Sequence, residues 1–248
     1  MCGRVFRQSS WGQIQESVNF SDPGRAPNLG PSWNIPPTSD MMVCALGKSG
    51  ERTPIVMKWG LIPRWSKDGK FGYGTHNARS ETIDTKPTFK PSWEAARRCL
   101  VLIDGYYEWK APPAGSKQKQ PYAFALHGTR QGRSNIMAMA GLWDQWKDPF
   151  SSAITLSCTI ATTTPNEAAA RIHDRMPVIL EKADWPLWLG EIEGADLGDV
   201  KALLKPCSDE VLDIWPVATE VGRVANDGRH LIEVVNLPGE GMLPLNSL

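Results

Sequence analysis

Short apolar segments that are rich in Val, Ile, Thr or aromatic residues recur along the chain, separated by polar turns that contain Gly and Pro. Segments of this length and composition are typical of β-strands. They predict strands at 41–47, 53–59, 99–104, 106–110, 121–127, 136–142, 154–162, 177–180 and 231–235. Because most neighbouring segments have short connections, the pattern favours antiparallel pairing.

Helical spacing of apolar residues occurs in fewer places, and two of these follow Asp184 and Asp196, a residue type that begins helices. The pattern predicts helices at 9–18, 88–97, 165–172, 182–190 and 197–204. With more strands than helices, we expect an α+β fold with a curved, barrel-like, mainly antiparallel sheet flanked by helices. A chain of 248 residues can bury a full core, and we expect one domain over 1–248.

Charge is distributed unevenly although the formal net charge is zero. Residues 51–120 carry 13 Lys and Arg against 7 Asp and Glu, a net charge of +6, whereas residues 181–248 carry 5 against 13, a net charge of −8. A phosphate-binding face opposite an acidic side has this distribution, and so does a surface whose charge has no purpose. We assign 181–248 no function beyond an acidic C-terminal part of the domain.

No apolar stretch reaches the roughly 18–20 residues that cross a membrane, and the first residues lack the apolar core of a signal peptide. We therefore expect a cytoplasmic protein without membrane contact. The five cysteines are odd in number and widely spaced, without a zinc-knuckle or CxxC pattern, which predicts free thiols and no metal or other cofactor. Four of them are predicted core residues; Cys2 differs because of its place in the chain.

Cys2 follows Met1, which aminopeptidases remove when the second residue is small. The product carries an α-amine with a pKa of about 7.7–8.0 next to a thiol with a pKa of about 8.5. Roughly a tenth of such an amine is uncharged at neutral pH, and the uncharged amine attacks aldehydes to form imines. The thiol can then close on the imine carbon and give a five-membered thiazolidine. Only an N-terminal Cys offers this pair of groups.

This terminus is the first of six motifs that follow one another in order between residues 2 and about 180. They are Met1-Cys2-Gly3-Arg4, Trp59-Gly60-Leu61-Ile62-Pro63, Asn77-Ala78-Arg79-Ser80-Glu81-Thr82, Asp104-Gly105-Tyr106-Tyr107-Glu108-Trp109, Ala140-Gly141-Leu142-Trp143 and His173-Asp174-Arg175-Met176-Pro177. In these motifs the sequence resembles the SRAP family, the SOS-response-associated peptidases that are viewed as shields of abasic sites in DNA, and most closely its bacterial single-domain form.

The resemblance implies four site residues. Cys2 would link to the aldehyde of a ring-opened abasic sugar, and Asn77 would hold the sugar or the Cys2 amine. Glu108 would exchange protons with the amine and the sugar hydroxyl, and His173 would act as general acid or base. The implied partner is single-stranded DNA with abasic sites, bound by a monomer without a cofactor. Strand cleavage after imine formation, a lyase activity, is compatible with this chemistry.

Local patterns leave other interpretations open for three of these residues. Asn77 is also a residue type that caps a helix, here one through 78–82. Glu108 could face solvent on a strand, although the aromatic residues around it predict a desolvated carboxyl with a raised pKa. His173 could belong to a solvated network of charged residues, but it is also the side chain best suited to proton transfer near neutral pH.

Arginines and tryptophans in or beside the motifs are the expected contacts with DNA. Phosphates are assigned to Arg4, Arg79 and Arg175. Stacking on bases, worth about 1–3 kcal/mol each, is assigned to Trp59, Trp65 and Trp109.

Two other functions compete with covalent capture. One is a cysteine peptidase of the N-terminal-nucleophile kind, in which Cys2 attacks a carbonyl with the α-amine or His173 as base. The other is a nucleic-acid-binding module without chemistry, which needs Arg and aromatic residues but no set of Cys2, Glu108 and His173. The mass of the protein after incubation with an abasic oligonucleotide distinguishes the three.

Overall fold

A computed structural model describes residues 2–20, 27–70, 74–112, 115, 117–130 and 135–237. The strands in this part of the chain are β1 Val5–Arg7, β2 Ser32–Ile35, β3 Asp40–Leu46, β4 Arg52–Trp59, β5 Asn77–Arg79, β6 Arg98–Ile103, β7 Gly105–Lys110, β8 Gln120–Leu126, β9 Met137–Lys147, β10 Ile154–Thr163, β11 Met176–Pro177 and β12 Leu212–Pro216. The helices are α1 Trp11–Val18, α2 Lys90–Glu94, α3 Glu167–Ala170, α4 Trp185–Leu189 and α5 Leu197–Ala202.

Five strands close into a barrel in the order β10, β4, β3, β6, β9 and back to β10. All of these pairs are antiparallel except β4 with β10. All six residues of β6 are buried, as expected for a strand covered on both faces. Gly141 lets β9 approach β10, because a Cβ at this position would lie 2.8 Å from the carbonyl oxygen of Thr159. The short strands β5 and β11 extend the barrel at β10.

The other sheet has five antiparallel strands in the order β12, β8, β7, β1, β2. Its amino-terminal strand β1 therefore lies between β7 and β2 rather than at an edge. One face of this sheet shares an apolar cluster with the barrel strands, to which Cys2, Trp59 and Tyr106 belong. The opposite face packs against the C-terminal segment through residues such as Val221 and Leu231.

Helices cover the remaining face of the barrel. Their large side chains, Trp93 of α2 and Trp185 and Trp188 of α4, lie in one apolar cluster with residues of β3, β6 and β9. Helix α1 begins with a capping box, in which Ser10 accepts a hydrogen bond from the Gln13 amide and the Gln13 side chain binds back. No helix in the described ranges combines the length and the apolar character that crossing a bilayer requires.

The predicted α+β class with a barrel-like, mainly antiparallel sheet is confirmed. Eight of the nine predicted strands overlap strands of the structure, but 231–235 is wrong: Arg229–Ile232 forms a 3-10 helix, with Leu231 buried and Val234 exposed. The sequence interpretation also missed β1, β2, β5 and β12. The extent of the domain stays a prediction.

Candidate active site

Cys2 lies three residues before β1, which is placed between β7 and β2 in the five-stranded sheet. The pairing of Val5 with Tyr106 and the hydrogen bond from the Tyr107 amide to the Arg4 carbonyl carry the chain end alongside β7. The Cys2 side chain is fully buried, and this burial raises the pKa of its thiol well above the ordinary value. The thiol of the folded chain is therefore kept protonated near neutral pH.

Asn77 connects the barrel to the chain end at Cys2. It is the first residue of β5, where it pairs with Ile160 of β10. Its side-chain Nδ2 donates a hydrogen bond of 2.6 Å to the Cys2 carbonyl, and its buried Oδ1 has no hydrogen-bond partner within the described residues. The alternative of a helix cap is wrong, because 77–79 is a strand. An acceptor without a partner next to Cys2 leaves a place for a donor from a bound molecule.

Glu108 is on β7, on the face of the sheet that turns toward the barrel. Its side chain is 3% exposed, so the interpretation as a solvent-facing strand residue is wrong. Burial raises the pKa of Glu108 to about 7, because the charged carboxylate loses water. The carboxyl group therefore exists in both protonation states near neutral pH, as an acid–base group must.

His173 follows α3, with its backbone amide bound to the carbonyl of Ala169. Its Nε2 lies 3.8 Å from Oε2 of Glu108. The Arg175 amide donates to Nδ1 at 3.1 Å, which makes Nδ1 the acceptor of a neutral ring and leaves the proton on Nε2, toward Glu108. Asp174 Oδ1, at 2.9 Å from Nδ1, stabilises the doubly protonated ring.

Partial burial of the imidazole lowers the pKa of His173 below its usual value. The raised pKa of Glu108 and the lowered pKa of His173 are shifts in opposite directions, so near neutral pH the carboxyl keeps more of its proton and the imidazole more of its neutral form than in water. Two titratable groups whose environments shift their pKa values in opposite directions are suited to acid and base roles. The solvated network proposed as an alternative for His173 accounts only for its Nδ1 side, where Asp174 is exposed.

Tyr106 is a residue of this site that the sequence interpretation missed. It is two positions before Glu108, on the same face of β7, and is fully buried. Its hydroxyl has no hydrogen-bond partner in the described chain, and it interacts electrostatically with Cys2 and Glu108. The period of two along a strand was the available signal.

Two of the predicted phosphate contacts, Arg4 and Arg175, are occupied within the protein. The Arg4 side chain is 9% exposed, and its Nη1 donates to Asn34 Oδ1 at 2.5 Å and to the Val221 carbonyl at 2.8 Å. Arg175 binds both oxygens of Glu81, at 2.5 and 3.0 Å, and the Thr162 carbonyl at 2.6 Å. In this structure these arginines hold protein segments together, and their assignment to phosphates stays a prediction.

Trp59, assigned to base stacking from the sequence, is fully buried in this structure, and its Nε1 donates to the His76 carbonyl at 2.9 Å. It offers no surface on which a base can stack. Trp109 is partly buried, and the Arg4 guanidinium lies 5.9 Å from its ring centre.

Arg79 and Trp65 are the predicted DNA contacts that the structure exposes. Arg79 ends β5, two residues after Asn77, and makes no ion pair with any described residue. Trp65 is 52% exposed. Within the described ranges no three His, Cys, Asp or Glu side chains are arranged as a metal site.

Comparisons with known proteins connect this geometry to a family. The family model described as SOS response associated peptidase (SRAP) matches residues 1–224. The abasic site processing protein YoqW of Bacillus subtilis is 35% identical over 233 residues, covering 94% of this chain and 99% of YoqW. The abasic site processing protein HMCES of Xenopus tropicalis is 30% identical, covering 92% of this chain and 76% of HMCES. A solved structure of a protein from Bacteroides thetaiotaomicron superposes with a TM-score of 0.70 at 23% identity, covering 93% of this chain and 92% of that one.

Proposed function

We propose, because the chain belongs to the SOS response associated peptidase (SRAP) family, that it captures abasic sites in single-stranded DNA covalently through an N-terminal Cys2. The relatives named above are abasic site processing proteins, and we extend that role to this chain. The amine and thiol of Cys2, freed by removal of Met1, would form a thiazolidine with the aldehyde of the abasic sugar.

One observation carries the proposal. Cys2, Asn77, Glu108 and His173 lie in distant parts of the sequence but in one site: Asn77 binds the Cys2 carbonyl, and His173 is 3.8 Å from Glu108. A core that needed only to be stable would not gather a buried carboxyl and an imidazole beside a terminal cysteine, since buried polar groups cost free energy.

The chemistry begins at the α-amine. The uncharged nitrogen attacks the aldehyde carbon C1′ of the open sugar, and loss of water gives an imine. The Cys2 sulfur then adds to the imine carbon while its proton passes to the nitrogen, which closes the thiazolidine ring. Water is the only product released, and no bond of the DNA backbone breaks in these steps.

Glu108 and His173 supply the proton transfers. Opening of the sugar ring needs a proton on the ring oxygen, and formation of the imine needs one on the departing hydroxyl. Glu108, with its pKa of about 7, provides such protons at neutral pH, and His173 can accept protons because its lowered pKa keeps the imidazole in its neutral form. Asn77 would hold the sugar with its unpaired Oδ1 while its Nδ2 fixes Cys2.

The state of the Cys2 thiol favours this order of events over the peptidase alternative. A cysteine peptidase attacks as a thiolate, and burial raises the pKa of Cys2, which disfavours that form. Amine-first capture does not need a thiolate at the start. Arg79 and Trp65, both exposed, are the residues we assign to the flanking phosphate and base.

The direct experiment is intact-protein mass spectrometry after incubation of processed protein with a single-stranded abasic oligonucleotide. The expected mass is the sum of protein and oligonucleotide less one water. An unmodified oligonucleotide without the lesion is the control. Tight binding without a mass increase would instead support a plain binding module, and a cleaved peptide substrate would support a peptidase.

A further inference from the structure

Residues 205–232, which follow α5 and include β12, contact the proposed site from two sides. At one end the segment meets Arg4, which lies between Cys2 and β1, and at the other end it meets α3, the helix that precedes His173. We propose that this segment is a two-ended brace that positions Cys2 and His173 independently. The inference rests on the proposed function for its catalytic consequence, but its contacts do not depend on that function.

The first end of the brace acts through Arg4, two residues after Cys2. Arg4 Nη1 donates to the Val221 carbonyl and to Asn34 Oδ1, while Asn34 Nδ2 donates to the carbonyls of Arg223, at 2.9 Å, and Asn226, at 2.6 Å. Asn34 is 3% exposed; the two hydrogen bonds of Arg4 are buried, and those of Asn34 to Arg223 and Asn226 are partly buried. Because the Arg4 carbonyl also accepts from Tyr107, the residue after Gly3 is fixed on both its side chain and its backbone.

The second end acts through α3. Asn166 caps this helix by accepting from the Ala169 amide, and its Nδ2 donates to the Cys207 carbonyl at 3.2 Å. Asp209 Oδ1 accepts from the Ala168 amide at 2.8 Å. The backbone amide of His173 in turn donates a hydrogen bond to the Ala169 carbonyl. The segment thus holds the turn from which the imidazole reaches Glu108.

The middle of the segment is a strand, β12, which pairs with β8 over five residues. A strand held in register transmits little movement, so loosening one end leaves the other in place. This predicts two separable effects. Asn166, Asn34, Arg4 and Asp209 are then positioning residues, since none of them is proposed to touch the sugar.

Asp209→Ala and Asp209→Asn test the His173 end as a matched pair. Both remove the charge, but Asn keeps an oxygen that accepts from Ala168. Without the hydrogen bond to the Ala168 amide, the His173 imidazole should become more exposed to water. Its pKa should therefore rise toward the usual value in Asp209→Ala and change little in Asp209→Asn. NMR titration of the His173 imidazole measures this without DNA. The pH dependence of the rate of adduct formation by Asp209→Ala should shift upward in the same way.

Asn34→Ala tests the Cys2 end. Displacement of a reacting group by about 1 Å can cost about 100-fold in rate, and we expect a ten- to 100-fold slower condensation of Cys2 with the small aldehyde glyoxylate. The pKa of His173 should stay at its wild-type value. Gln120→Ala is the control, because it removes a hydrogen bond of 2.8 Å to the Val217 carbonyl, which lies in the middle of the same segment, directly after β12.

The outcomes are distinct. If Gln120→Ala alters the rate and the His173 pKa as much as the other variants do, the segment acts only through stability and the brace is wrong. It is also wrong if Asn34→Ala reacts at the wild-type rate and Asp209→Ala leaves the pKa unchanged. Failure of the wild-type protein to link to abasic DNA overturns the proposed function instead, and the titration and the glyoxylate reaction still decide the brace.

Discussion

Cys2 and Cys158 share one apolar cluster but have different neighbours. Both side chains are fully buried, and burial raises the pKa of the Cys158 thiol to about 12 and that of Cys2 above its ordinary value. Cys158 lies in the middle of β10, paired on one side with Trp143 of β9 and on the other with Trp59 of β4. Beside Cys2 lie the Asn77 amide and the Glu108 carboxyl.

Thiol burial therefore does not distinguish the cysteine that we propose to react from a cysteine of the core in this protein. The difference lies in the polar groups gathered around Cys2 and in the amine that only residue 2 can expose. Cys158 lies inside a barrel strand, whereas Cys2 lies at the chain end between the two sheets. The same side chain therefore has different neighbours and a different proposed role.

The largest effect is expected from removing Cys2, with Cys158 as the matched comparison. Cys2→Ala should abolish the heat-stable adduct with abasic DNA, because no other residue offers an amine and a thiol on adjacent carbons. Cys158→Ala should keep the adduct and lose only stability, by roughly 1 kcal/mol, as is usual for a core substitution. Denaturing electrophoresis with labelled oligonucleotide, together with thermal melts, measures both. A normal adduct from Cys2→Ala would refute the mechanism.

The next effect concerns the acid–base pair. Glu108→Gln keeps the shape but cannot ionise, and single-turnover adduct formation should slow by about 10²–10⁴-fold. His173→Ala should also slow it, and more for a closed-ring abasic site than for an open aldehyde. Affinity for the same DNA, measured by fluorescence anisotropy, should hold in both variants. Wild-type rates in both at every pH tested would mean that Cys2 acts by proximity alone.

The raised pKa of Glu108 predicts how stability changes with pH. With about 7 in the folded state against 4.5 as the ordinary value, the folded protein binds this proton more tightly. The contribution of this proton to the free energy of unfolding is therefore complete below about pH 4.5 and is lost as the pH rises to about 7. Its size is about 3 kcal/mol. Glu108→Gln should lack this loss. Urea unfolding at pH 5 and pH 8 tests it; parallel pH dependence in the two proteins would contradict the assigned burial effect.

The smallest effect is expected at the surface. Arg79 makes no ion pair with a described residue, whereas Lys58 pairs with Asp40 at 2.7 Å. Arg79→Ala should weaken binding of single-stranded DNA several-fold and reduce the slope of log affinity against log salt by about 1. Lys58→Ala is the matched control and should change the slope less. Binding that does not depend on salt in the wild-type protein would remove the basis for a phosphate contact.

The longer strands could be predicted from the sequence because their apolar content is independent of context. Strands β3, β4 and β6 to β10 begin within a residue or two of the prediction. The three residues of β1 and of β5 are too short to show a period, and only their partners on β7 and β10 make them strands. At 231–235 a β-branched run misled, because Gly228 with a φ of 154° opens a 3-10 helix that buries Leu231.

The proposed site was assembled from motifs, and its residues do lie together, but spacing could not give their contacts. Asn77 and Cys2 are 75 positions apart, and their hydrogen bond depends on the register of two sheets. The burial of Arg4 and Trp59 and the ion pair of Arg175 were also not visible, since residues next to a reactive group can face inward or outward with the same local sequence.

The position of β1 between β7 and β2 has a consequence for how the protein is synthesised. Its partner β7 begins at Gly105, so Cys2 cannot be buried until about 100 residues more have been synthesised. At roughly 5–20 residues per second, this leaves on the order of 5–20 s during which an aminopeptidase can reach the nascent terminus. Removal of Met1 is therefore expected on the ribosome, before β1 pairs with β7. A chain that folded with Met1 still attached would bury Cys2 without its free α-amine.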